Sequence, residues 1–277
     1  MTVAAHGRPF FSLGGRRMLG LKAVLRWALH SVGLDVVTYR RLLQLEVSER
    51  AAADIEFLRS LPEESLFQAL AALPYSQSQM RQDLFALSEC AFRRAGFFVE
   101  FGATDGKAIS NSWLLEKKYG WNGILAEPGR CWHDQLKNER TAKLDFDCVW
   151  NKTGEILDFA EAMDARLSTL TSHASADAHA SARRRSENYK VRTISLNDLL
   201  IRHDAPNHID YLSIDTEGTE YEILSALDFD RFRFSVITCE HNFTPNRDRI
   251  HSLLTANGYR RKSEEVSHCD DWYILAN

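Results

Sequence analysis

Apolar residues along this chain follow two regimes that change near Gly96. Before it they recur at helical spacing. Met18, Leu21, Leu25, Ala28, Leu29 and Val32 share one face of a helix whose other face carries cations. A second stretch, 49–73, keeps a helical period until Pro74, which has no N–H to continue it. From Gly96 onward, short apolar runs at 97–101, 123–126, 144–149, 209–214 and 234–239 predict strands buried on both faces. Amphipathic pieces at 112–118, 131–137 and 221–227 predict helices between them. Such alternation implies parallel strands joined by right-handed crossovers. The expected fold is α/β: a Rossmann-like, doubly wound, mostly parallel sheet behind a helical N-terminal extension.

Two segments fall outside that alternation. Residues 1 to 34 carry Arg8, Arg16, Arg17, Lys22 and Arg26 and no acid until Asp35. A basic amphipathic helix of this kind packs on its own domain or a sister subunit, or lies peripherally on an anionic membrane surface. Residues 172–188 place His173, His179, Arg183, Arg184 and Arg185 among Ala and Ser with little apolar period, which predicts a surface helix or a lid.

Composition narrows the class. A chain of 277 residues with 44% hydrophobic and 26% charged content supports one α/β domain plus an extension. The formal net charge of −4 provides no field that draws nucleic acid, so none is expected as a partner. The five cysteines form no CxxC pair, which points to a reducing, cytoplasmic setting. Apolar runs fall well short of the roughly 20 residues that span a bilayer. Lys22 and Arg26 interrupt the apolar run that a signal peptide requires.

The candidate chemistry sits at strand ends. The run Glu100, Phe101, Gly102, Ala103, Thr104, Asp105, Gly106 places a strand directly before a glycine-containing turn, where open α/β sheets bind ligands. Its spacing is GxxxG, without the middle glycine of a dinucleotide fingerprint. Glu127, followed by Pro128, ends the next strand 127 − 102 = 25 residues later, near the roughly 20-residue spacing of an acid that accepts ribose hydroxyls. Glu100, Asp105 and Glu127 would repel a pyrophosphate and suit a sulfonium cofactor, which favours S-adenosylmethionine over NAD.

These residues resemble the FkbM-type methyltransferases. The resemblance is carried by GFFVEFGATDG at 96–106, Ser110-Asn111-Ser112, Gly120-Trp121-Asn122-Gly123 and Ala126-Glu127-Pro128, with SQMRQDL at 78–84 before them. It continues through SLNDLL at 195–200, IDYLSIDTEGTE at 209–220, Cys239-Glu240-His241-Asn242 and Asp271-Trp272-Tyr273. It runs from about Ser76 to the C-terminus, so the expected division is a helical extension at 1–75 and a methyltransferase domain of class I type at 76–277. The resemblance implies S-adenosylmethionine-dependent O-methylation of glycans or secondary metabolites. It also implies that Gly102 and its neighbours hold the methionine part, Glu127 the ribose, and Asp147 or an adjacent backbone group the adenine. Thr104 stands where many members have Asn.

A hydroxyl acceptor gains from a base, and the candidates end the fourth and fifth expected strands. Asp215 or His241 can serve as general base, with Glu240 beside them. Alternatively Asp215, Glu240 and Asn242 can hold a divalent ion through hard oxygen ligands. Glu217 reads as a first-turn helix acid. Two other functions compete: a nicotinamide-dependent dehydrogenase, which lacks its GxGxxG turn here, and a non-catalytic Rossmann-like binding module.

Overall fold

The protein is described by a computed structural model covering residues 39–172 and 186–276. The basic helix expected before Asp35 and residues 173–185 of the expected lid lie outside the described residues. The chain divides into two compact units, Met1–Ala52 and Ala53–Asn277. No described helix is long and apolar enough to cross a membrane.

The helical stretch expected at 49–73 is two helices, α1 (Tyr39–Ser60) and α2 (Glu63–Ala72). Pro62 caps the second. It cannot donate to the first, and it forces Leu61 out of helical geometry. Helix α3 (Gln82–Glu89) then leads to β1 (Phe97–Phe101), α4 (Trp113–Tyr119), β2 (Asn122–Ala126), α5 (His133–Glu139) and β3 (Lys143–Asp145). The run at 144–149 was expected to be one strand, but it splits. Asp145 Oδ1 accepts the Asp147 N–H at 3.0 Å and turns the chain at Phe146, so β4 (Cys148–Trp150) enters a second sheet.

That second sheet has the order β4-β7-β5-β6, with β5 at Ile156–Ala162, β6 at Thr169–Leu170 and β7 at Ser186–Ser195. Its own core is small: Cys148, Phe159, Leu170 and Val191. The remaining elements are α6 (Leu196–Arg202), β8 (His208–Ile214), α7 (Glu220–Ser225), β9 (Arg233–Glu240), α8 (Asn246–Ala256), β10 (Tyr259–Lys262) and β11 (Asp270–Leu275).

The main sheet has the order β10-β11-β9-β8-β1-β2-β3. Strands β3, β2, β1, β8 and β9 are parallel, whereas β11 runs antiparallel to both β9 and β10. The sheet is therefore mixed: four of its six pairings are parallel, in keeping with the mostly parallel sheet expected, and β11 alone runs against the rest. Alternate residues bury on opposite faces. Phe98, Leu125, Tyr211, Val236 and Trp272 pack with α2, α3 and α4, while Val99, Ile124, Leu212, Ile237 and Tyr273 pack with α6, α7 and α8. Such two-sided burial explains why these strands read as continuous apolar runs.

Candidate functional site

A cavity opens at the carboxyl ends of β1, β2 and β8. Glu100, Phe101, Gly102, Thr104, Ile109 and Asn111 line it from β1 and the loop that follows. Ala126, Glu127 and Pro128 come from β2, and Asp215, Thr216, Glu217 and Thr219 follow β8. The second sheet supplies Cys148, Val149, Phe159, Thr169 and Leu170, with the β5–β6 connection adding Ala165, Arg166 and Ser168. Sequence reasoning missed this last group, because the polar strands of the second sheet have only a weak apolar period.

Gly102 holds two strand ends together. Its φ is +71°, and a Cβ there would overlap the Asp215 backbone carbonyl. The glycine thus permits close approach of β1 to β8 as well as to any ligand. Thr104 (φ 45°), Glu217 (φ 57°) and Asn242 (φ 43°) also hold left-handed backbone around these strand ends. Non-glycine residues adopt it at a cost, which the surrounding structure must offset.

Glu127 is buried, and each of its carboxylate oxygens accepts one backbone N–H: Oε2 from Thr104 at 2.9 Å and Oε1 from Gly129 at 2.7 Å. Burial nevertheless pushes its pKa up to about 7, with Glu161 and Asp215 adding to the rise. Glu100 is also buried, and its carboxylate receives Ser110 Oγ at 3.0 Å, the Asn111 N–H at 2.6 Å and the Ser112 hydroxyl. Four other expected cofactor residues stand elsewhere. Asp105 caps its own turn by accepting the N–H groups of Lys107 and Ala108, both at 2.8 Å. Ala103 and Gly106 support the loop without lining the cavity, since Ala103 packs in the core and Gly106 abuts Arg140. Asp147 pairs with Arg202 at 2.9 Å, and its neighbours Cys148 and Val149 form the wall instead.

At the ends of β8 and β9 the structure separates the expected group. Asp215 lines the cavity, and burial pushes its carboxyl up to about 6, with Glu220 contributing repulsion. Glu240 does not line the cavity, and it is raised well above the usual range by burial and then by Asp215. Carboxylate oxygens of Asp215, Glu217 and Glu240 lie within 4.8 Å of one another. Glu217, read from sequence as a helix acid, thus joins the cluster.

His241 does not reach the cavity. Its Nδ1 accepts the Phe243 N–H at 3.0 Å, which puts the ring proton on Nε2, 3.7 Å from Asp271 Oδ1. Burial lowers its pKa. With one nitrogen accepting and the other protonated, His241 is poorly placed as a base. The amide nitrogen of Asn242 is buried without a hydrogen-bond partner among the described residues.

Residues 100–261, more than half of the chain, match the methyltransferase FkbM domain. The chain belongs to the FkbM methyltransferase family. Glu100, Glu127, Asp215 and Glu240 all fall inside the FkbM match. No curated protein matches the chain significantly. Among solved structures, the precorrin-6y C5,15-methyltransferase of Geobacter metallireducens aligns with a TM-score of 0.38 and 12% identity over 69% of this chain and 85% of that one. A protein of Galdieria sulphuraria described as a candidate sarcosine dimethylglycine methyltransferase aligns with a TM-score of 0.30 and 11% identity over 65% and 62%.

Proposed function

We propose that this chain transfers a methyl group from S-adenosylmethionine to a hydroxyl of a glycan or secondary metabolite, on a sheet of class I methyltransferase type. The observation that carries the reading is one cavity whose wall combines an apolar corner with the carboxylates of Glu127 and Asp215. Pro128, Cys148, Val149, Phe159 and Leu170 fit a purine. Each oxygen of Glu127 keeps acceptor capacity beyond its backbone bond, which fits a ribose diol. An acid-rich wall also disfavours a pyrophosphate, so the donor fits better than NAD.

When bound, S-adenosylmethionine supplies a methyl group that is already electrophilic. The chain's task is then to align the acceptor and remove its proton. Asp215, with a pKa of about 6, is ionised at neutral pH and faces the cavity, so it takes the hydroxyl proton. Such a base contributes about 10²- to 10⁴-fold. Glu240, raised well above the usual carboxylate range by burial, hydrogen-bonds to Asp215 and orients it.

A second reading is favoured by the convergence of Asp215, Glu217 and Glu240, hard oxygen donors of the kind that hold Mg²⁺ or Mn²⁺. Under it, Glu217 takes the place expected for Asn242, and Asp215 is a ligand rather than a base. Chelation separates the two: turnover that survives a chelator supports the base, whereas turnover lost to chelator and restored by Mg²⁺ supports the ion. Calorimetric titration with S-adenosylmethionine and with NAD tests the donor. Binding of neither favours a non-catalytic module. A mass-spectrometric screen for the gain of one methylene on candidate glycans and metabolites tests the acceptor.

A further inference from the structure

Beneath the cavity floor, Arg140 follows α5 with no accessible side-chain surface. A guanidinium is tolerated there only when its donors are matched. Nε donates to Glu116 Oε2 at 2.8 Å, Nη1 to the Gly106 carbonyl at 3.0 Å and to Ser110 Oγ at 3.2 Å, and Nη2 to Ser112 Oγ at 2.8 Å. Glu100 Oε2 stands 3.8 Å from Nη1. Apart from Glu116 on α4, these partners belong to β1 or to the loop between β1 and α4.

That loop needs support from outside itself. Thr104 (φ 45°) and Ile109 (φ 56°) are non-glycine residues in left-handed backbone, a conformation they do not hold unaided. Both line the cavity, as does Asn111. Glu100 is itself tied into this loop: its Oε2 accepts Ser110 Oγ and the Ser112 hydroxyl, and its Oε1 the Asn111 N–H. Gly106 makes room for the arrangement, since a Cβ there would lie 2.7 Å from Arg140 Cγ.

We propose that Arg140 is a positioning residue for the methyl donor, fixing the strained loop after β1 in the shape that receives the donor's methionine end. The proposal rests on the S-adenosylmethionine reading above. Arg140 touches neither donor nor acceptor; it acts through Ser110, Ser112, Gly106 and Glu100. A Lys at the position keeps the charge but has no planar fork with which to span Glu116, Gly106 and Ser112 together.

The test uses the full chain with Arg140→Lys and, as a milder variant that leaves every buried charge in place, Ser112→Ala. Calorimetry measures S-adenosylmethionine and, as a probe without the methionine end, adenosine. Hydrogen exchange follows the amides of residues 104–112. The expected result is S-adenosylmethionine binding weakened about tenfold or more, the scale of one lost charged hydrogen bond, with adenosine within about twofold. Exchange at 104–112 speeds up while the main sheet stays protected. Variants that bind S-adenosylmethionine like the wild type, or lose both ligands equally, overturn the proposal. Should Arg140→Lys fail to fold, Ser112→Ala decides by the same measures. A wild-type chain that binds no S-adenosylmethionine overturns the donor reading itself, a failure visible before any variant is made.

Discussion

At the scale of single residues, burial sets the chemistry of the two carboxylates proposed to matter most. Burial raises Glu127 from 4.5 to about 7, so the folded state holds an extra proton between those values and stability falls as pH rises through that window. Glu127→Gln is therefore expected to lose this pH dependence in urea denaturation, at a constant cost, because its amide nitrogen faces one of the two backbone N–H groups that the carboxylate accepts. The same change is expected to weaken S-adenosylmethionine binding by about 1.5 to 3 kcal/mol or more. Wild-type donor affinity should weaken as pH drops through about 7, and the variant should lose that dependence. Calorimetry on both sides of neutrality checks this, and equal affinities would remove Glu127 from the donor site. Asp215, raised to about 6 mainly by burial, predicts turnover that rises with pH through about 6 and then levels. Asp215→Asn is expected to lose most turnover, at least about 10²-fold, while still binding donor. Near-normal rates would exclude it as the base.

At the scale of elements, the site depends on strand ends meeting at close quarters. Gly102→Ala forces a methyl into the Asp215 carbonyl and strains a backbone held at φ +71°. The expected cost is about 1 to 3 kcal/mol from overpacking alone, measured by urea denaturation. A change below about 0.5 kcal/mol would mean that β1 and β8 part freely. The elements also show where the sequence pattern stopped being informative. Strands β1, β2, β8 and β9 were legible within one or two residues, because two-sided burial writes them as apolar runs. Strands β3 and β4 were not separable, since a turn made by one hydrogen bond from Asp147 N–H to Asp145 leaves no glycine or proline to mark it.

At the scale of the whole molecule, every cavity-lining residue lies within the unit Ala53–Asn277. Removing residues 1–38 is accordingly expected to leave S-adenosylmethionine affinity within about twofold, or about 0.4 kcal/mol. Calorimetry on the folded truncated chain checks this, and loss of binding would place part of the donor site in that segment.

Where the inner strands β1, β2, β8 and β9 fall along the chain, and which acids end them, were determined by the sequence itself, because both are local: an apolar run buries, and the residue that follows it emerges at the sheet's edge. Glu100, Glu127 and Asp215 were found in this way, and all three line the cavity. Which acids converge was decided only by tertiary structure. Glu217 meets Asp215 and Glu240 because the chain turns back after β8, whereas Asp105, Asp147 and His241 are drawn off by the Lys107 and Ala108 amides, by Arg202, and by the Phe243 N–H beside Asp271. Arg140 carries no local signal, since its partners are brought to it by packing α5 under the loop after β1. A sequence pattern reports whether a residue is buried; the partners it meets there depend on how distant segments pack.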